Sequence, residues 1–164
     1  MKKSGILLAA IICMMMQTVS ASAQDRFISI EQLPQTIEAF IQKHFPGQVI
    51  DYANIDSEFA DTDFDDDFDD AFDDNVDNTT YEVCLNNGIE LDFDMNGNWK
   101  KVDCYYMIVP NQIIPTPIAQ YVDTHFDGHD IVKIDKKHYG YEIELSNGVE
   151  AKFNHQGELI SIDD

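Results

Sequence analysis

The chain has 164 residues, with 31 acidic side chains against 10 basic ones and a formal net charge of −21. Such an excess of carboxylates repels phosphate backbones and anionic headgroups, which argues against nucleic acid and acidic membrane surfaces as partners and favours cations or a basic protein surface. Nowhere does the sequence approach the roughly 20 consecutive apolar residues of a membrane-spanning helix.

The amino terminus reads as an export signal. Met1-Lys2-Lys3 is basic, Ile6 to Met16 is apolar but short, and Ala21-Ser22-Ala23 has the small-x-small form of a signal-peptidase site. Residues 1–23 are expected to be removed, leaving a periplasmic chain from Gln24 with eight basic and 31 acidic side chains. Acylation at Cys13 is disfavoured by the bulky Ile11-Ile12 before it. The roughly 140 residues that remain suit one ordinary domain or two very small units sharing a core.

The first predicted helix carries Leu33, Ile37, Phe40, Ile41, His44 and Phe45 on one face, with Pro34 in its first turn and Gly47 closing it. A strand is expected near Val49 to Ile55. From Asp56 to Asp77 run twelve acidic residues without a Lys or Arg, interleaved with Phe59, Phe64, Phe68, Phe72 and Val76. Three readings of this stretch stay open: a solvated loop extended by like charge, a weak calcium site using Asp61, Asp63, Asp65, Asp67 and Asp69, or an acidic-aromatic segment that folds on a basic partner. It is not an EF-hand, because Asp66 stands where the sharp turn requires Gly and Phe72 where a bidentate Glu belongs.

Tyr81 to Asp103 predicts a three-stranded meander. A three-residue loop at Asn86-Asn87-Gly88 sets Leu85 against Ile89, Val83 against Leu91 and Tyr81 against Phe93 on one apolar face. A two-residue loop at Asn96-Gly97 then sets Leu91 against Val102 and Phe93 against Lys100, which breaks the apolar pattern. Tyr105 to Pro110 is too apolar for a free linker, so the flanking units are expected to pack as one body.

The remaining elements repeat the earlier ones. Ile114, Ile118, Tyr121, Val122, His125 and Phe126, with Pro115 and Gly128, mirror the first helix; Ile131 to Ile134 mirrors the first strand. Tyr141 to Asp163 mirrors the meander, with Leu145 against Val149, Ile143 against Ala151, Phe153 against Ile160 and Ala151 against Ile162. The expected architecture is α+β, in two tandem repeats of one helix packed on a four-stranded antiparallel sheet: residues 24–109 with an insertion at 57–79, and residues 110–164.

On the opposite sheet face the same parity places Glu82, Cys84, Glu90, Asp92, Trp99 and Lys101, answered by Glu142 and Glu144. Either this is an ordinary solvated face or it is a docking surface anchored by Trp99. Cys84 and Cys104 point to opposite faces with a strand between them, so no bridge is expected and both thiols should react with an alkylating reagent. His44 and His125 fall near helix carboxy termini, where a cationic imidazole gains from the helix dipole. The serines lie in no nucleophile-elbow context, no phosphate loop occurs, and catalysis is not expected.

The repeated pattern Ile-x-x-(Phe/Tyr)-(Ile/Val)-x-x-His-Phe-x-Gly, then Tyr-Glu-(Val/Ile)-x-Leu-x-Asn-Gly-(Ile/Val)-Glu-x-x-Phe, resembles the PepSY-like, beta-lactamase-inhibitor-like proteins exported by Bacteroides-type bacteria. That resemblance covers the chain after the leader apart from the acidic insertion. It implies tandem helix-plus-four-strand units, a periplasmic location, no catalytic residues, no cofactor and a binding or inhibitor-like role toward an envelope protein or peptide.

Overall fold

A computed structural model describes residues 26–56, 80–105 and 107–163. The expected export signal at residues 1–23 and the insertion at 57–79, with Asp61, Asp63, Asp65, Asp67 and Asp69, lie outside the described residues. Nine antiparallel strands form one sheet whose spatial order equals chain order: β1 (Arg26–Phe27), β2 (Ile50–Asp56), β3 (Thr80–Leu85), β4 (Glu90–Asp94), β5 (Trp99–Asp103), β6 (Ile131–Lys137), β7 (Gly140–Leu145), β8 (Glu150–Asn154) and β9 (Leu159–Asp163). Two helices, α1 (Gln35–His44) and α2 (Thr116–His125), cover one face. The elements of each half follow in the same order, but two separate four-stranded sheets are not what forms. β5 pairs with β6 through Lys101 with Asp135, Val102 with Ile134 and Asp103 with Lys133, so the two halves share a single ladder. Leaving β5 as an edge would strand its outward N–H and C=O groups, and β6 supplies their partners. Val109 in the connection is fully buried and donates its N–H to the Ile131 carbonyl at 2.9 Å, which pins the crossover to the sheet.

Alternation sets the two faces. Val83, Leu91, Phe93 and Val102 are buried beneath α1, and Ile134, Ile143, Ala151 and Phe153 beneath α2. Each helix presents two isoleucine-type residues at a spacing of four, Ile37 with Ile41 and Ile118 with Val122, and each residue removed from water contributes roughly 1.5–3 kcal/mol. An aromatic one turn along completes each contact: Phe40 meets Phe93 edge-on at 5.4 Å, and Tyr121 meets Phe153 at 5.4 Å. Pro34 and Pro115 sit one residue before the helices, in extended conformation, rather than inside the first turn.

The register of the first hairpin is as the parity argument requires, with Tyr81 opposite Phe93 and Val83 opposite Leu91. The second hairpin differs. Its loop has three residues, since Asp94 N–H bonds to the Asn98 carbonyl at 2.8 Å and Gly97 N–H to the Asp94 carbonyl at 2.9 Å. A bulge then makes Lys100 the extra residue: Leu91 still faces Val102, but Phe93 faces Trp99 and not Lys100. The second half repeats this, with Phe153 facing Leu159 and Ile160 left as the bulged residue. Lys100 breaks the apolar pattern because a bulged residue has no opposite number.

The glycine of this second loop does more than supply a left-handed residue. A Cβ on Gly97 (φ +79°) would lie 3.0 Å from Thr36 Cβ, and one on Gly157 (φ +79°) 2.7 Å from Pro117 Cβ, so each loop tip abuts the first turn of a helix. Gly148 (φ +84°) has the same backbone and open space around it. We therefore predict that Gly148→Ala costs about 1 kcal/mol from the backbone alone and Gly157→Ala on the order of 2–3 kcal/mol, measured by urea unfolding; equal costs would refute the close approach.

Candidate interaction face

With both helices on one side, the other side of the sheet has no covering layer among the described residues, and the pairing arranges its side chains in two rows across the strands. One row runs Asn54, Glu82, Asp92, Lys101, Asp135, Glu142, Lys152; the other runs Tyr52, Cys84, Glu90, Asp103, Lys133, Glu144, Glu150. Six residues expected to share a surface are brought together: Glu82, Glu90, Asp92 and Lys101 in the first half, Glu142 and Glu144 in the second. Glu82 lies opposite Asp92, Glu90 opposite Asp103 and Glu144 opposite Glu150. Like charges in directly opposed positions destabilise a sheet, so folding alone does not favour this pattern.

Its electrostatics show the strain. Burial, opposed in part by Lys101, pushes the Asp92 carboxyl up to about 6. Burial likewise raises Asp135, which is only 8% exposed, against the pull of Lys137 and Lys133 at 3.9 and 3.8 Å. Beside Glu90 the phenol of Tyr105, in the left-handed conformation at φ 51°, is raised to about 12, chiefly through its hydrogen bond to that carboxylate. Tyr52 is raised by its hydrogen bond with Cys84. Tyr52, Glu82, Cys84, Glu90, Asp92 and Lys101 enclose a shallow depression of about 100 Å³. At its margin Phe27 is 74% exposed and meets Tyr52 edge-on at 6.2 Å. Asn54 is 6% exposed, and its Oδ1 has no hydrogen-bond partner among the described residues. Parity alone did not single out Asp135, Lys133, Tyr52 or Asn54, because the strands that carry them were bounded only loosely.

Trp99 is not on this face. The bulge at Lys100 turns it toward α1, where it packs on the core and forms an open groove of about 420 Å³ with Thr36, Ala39, Phe40, Lys43, His44 and Lys136. Lys136 Nζ sits 3.7 Å above its ring, a cation–π contact that also covers the indole. The reading of Trp99 as an anchor beside Glu82 and Glu90 is therefore corrected.

Of the two histidines at the helix ends, His44 departs from expectation. His44 packs against Phe40 at 4.6 Å, and burial, with Lys43 beside it, lowers its pKa and favours the neutral ring rather than a cation serving the dipole. His125 stacks on Tyr121 at 4.0 Å and donates Nδ1–H to the Tyr121 carbonyl at 2.9 Å. No set of three or more His, Cys, Asp or Glu side chains is arranged to hold a metal among the described residues.

Cys84 and Cys104 are unbridged. Cys104 is 2% exposed and its thiol is pushed up to about 12 by burial and by Asp103. Alkylation of the native protein is accordingly predicted at Cys84 and not at Cys104, which corrects the two-site expectation; mass spectrometry after brief reaction with iodoacetamide would show a double adduct if the burial were wrong. Because the folded Asp92 carboxyl is raised, the native state binds the extra proton between about pH 4 and 6, so its contribution to stability is present below that window and is lost as pH rises through about 6. Asp92→Asn should consequently raise the unfolding free energy at pH 7.5 by on the order of 1–2 kcal/mol and do little at pH 4; a variant less stable than wild type at pH 7.5 would count against a strained carboxylate.

The sequence profile of the PepSY-like family, provisionally described as beta-lactamase-inhibitor-like, matches residues 19–77 and 79–161. No curated protein matches the chain. Three solved structures from Bacteroides resemble it. One, from Bacteroides vulgatus and provisionally described as a periplasmic protein, is 34% identical with a TM-score of 0.70, covering 85% of this chain and 97% of that one. Another, of unknown function and from the same species, is 30% identical with a TM-score of 0.73 over 86% and 100% of the two chains. The third, from Bacteroides thetaiotaomicron, is provisionally described as a calcium-regulated periplasmic protein and is 34% identical, with a TM-score of 0.71 over 85% and 97%. With most of its length matched and its sheet and helices in common with these proteins, the chain belongs to the PepSY-like, beta-lactamase-inhibitor-like family.

Proposed function

We propose that this protein is an exported, non-catalytic binding module of inhibitor-like type that docks a basic protein or peptide of the cell envelope on its uncovered sheet face. On this reading the leader is cleaved after Ala23, the mature chain works in the periplasm as its relatives are described to do, and residues 24–109 and 110–164 are two copies of one helix-plus-four-strand unit joined edge to edge. The observation that carries the reading is the opposition of Glu82 with Asp92, Glu90 with Asp103 and Glu144 with Glu150, an arrangement unfavourable to the free fold and relieved by a cationic partner. The Asn54 carbonyl oxygen adds a buried acceptor in want of a donor.

The test is affinity capture from an envelope extract of the source bacterium with three baits. A wild-type bait and Trp99→Ala should retain the same partner, whereas the triple variant Glu82→Lys/Glu90→Lys/Glu144→Lys should lose it, with affinity reduced tenfold or more and steeply weakened by salt. Loss with Trp99→Ala and retention by the triple variant would move the site to the α1 groove and end this reading.

A second reading draws on the relative described as calcium-regulated: the acidic insertion, through Asp61, Asp63, Asp65, Asp67 and Asp69, binds calcium weakly. Millimolar calcium should then raise the melting temperature of the intact chain and leave a chain lacking residues 61–77 unchanged. An equal shift in both chains would remove the insertion from consideration.

A further inference from the structure

β9 ends the sheet, and among the described residues its outer edge has no strand beside it. Three of its five side chains are large, apolar and exposed: Leu159 at 36%, Ile160 at 54% and Ile162 at 42%. A free row of backbone N–H and C=O groups next to apolar side chains is the surface onto which an extended segment adds.

The chain supplies its own template for what such a segment looks like. β5 holds in the first half the place that β9 holds in the second. Both follow a loop closed by the same pair of hydrogen bonds, both carry a bulge at their second residue, and both set their fourth residue against the apolar second residue of the strand before, Val102 against Leu91 and Ile162 against Ala151. Yet β5 is filled. β6 lies against it with Asp135 at Lys101, Ile134 at Val102 and Lys133 at Asp103. The bulge, which discourages edge pairing elsewhere, does not prevent pairing here because the ladder starts beyond it. β9 offers Ser161, Ile162 and Asp163 at those three positions, and Asp163 remains 57% exposed although Lys152 Nζ lies 3.4 Å from its carboxylate.

We propose that β9 is a strand-addition site that takes an extended basic segment of a partner protein in antiparallel register, with a β-branched apolar side chain against Ile162 and a lysine against Asp163. The assignment rests on the equivalence of the two halves and is separate from docking on the acidic face. A second copy of the chain is not the occupant, since two β9 strands side by side bring together segments whose charged side chains, Glu158, Asp163 and Asp164, are all acidic, on chains of net charge −21.

The probe is a synthetic peptide of residues 131–137, the strand that fills β5, titrated into the isotope-labelled full chain and followed through amide NMR shifts. Shifts are expected along Leu159–Asp163, with a scrambled peptide of the same composition binding at least tenfold more weakly. Asp163→Lys should weaken the peptide tenfold, and a peptide carrying Lys133→Asp should restore it. Glu82→Lys/Glu90→Lys/Glu144→Lys should leave the β9 shifts in place, which separates this site from the acidic face. Shifts confined to that face, equal binding of the scrambled peptide, or no β9 shift at millimolar peptide would overturn the proposal.

Discussion

The ladder between β5 and β6 is the interaction on which the rest of the molecule depends. Three opposed pairs and the pinned crossover at Val109 convert two small helix-on-sheet layers into one nine-stranded sheet with a continuous core. The part before α2 offers one α-helix and five strands and the part from α2 onward one α-helix and four, each close to the size at which a single core is marginal. Joined, they place Val102 beside Ile134 at the centre of the buried face, both fully shielded from water, and the apolar surface runs unbroken from α1 to α2.

That union also decides where the acidic side chains go. A sheet covered by helices on one side only must leave the other to water or to a partner, and in this chain the uncovered side receives carboxylates in directly opposed pairs, with lysines too few to neutralise them. Lys101 lies between Asp92 and Asp135, and Lys133 and Lys137 flank Asp135, so the deepest carboxylates have cations on more than one side. On the helix side the arrangement is reversed: Lys43 and Lys136 gather around the indole of Trp99, a small cationic region on an otherwise acidic protein.

Much of this was readable from residue order. Helix faces and first-hairpin registers follow from apolar spacing of 3.6 and 2, and the structure has both. The bulge was not readable, because a two-residue loop at Asn96-Gly97 and a three-residue loop followed by a bulge satisfy the pairing of Leu91 with Val102 equally well. Only the misfit of Lys100 carried the signal, and misreading it placed Trp99 on the wrong face. The short strand β1 has two residues and no periodicity to detect. Whether β5 and β6 would meet is a question about edges, which alternation within a strand does not answer. Of the candidate interaction residues, those on β3, β4 and β7 were placed correctly by parity, while Asp135 and Asn54 escaped notice because the bounds of β2 and β6 were set only loosely by their apolar residues.

Spatial order equal to chain order has a kinetic side. Every strand finds its partner next along the polypeptide, so no ladder waits for a remote segment, and the mean sequence separation of contacts stays low for a sheet of this size. A chain emerging amino terminus first from its site of synthesis can therefore assemble strand upon strand as it arrives. Three connections between neighbouring strands are long, residues 28–49, 57–79 and 104–130, and because closure entropy grows only with the logarithm of length, none of them slows assembly much more than a connection half as long would.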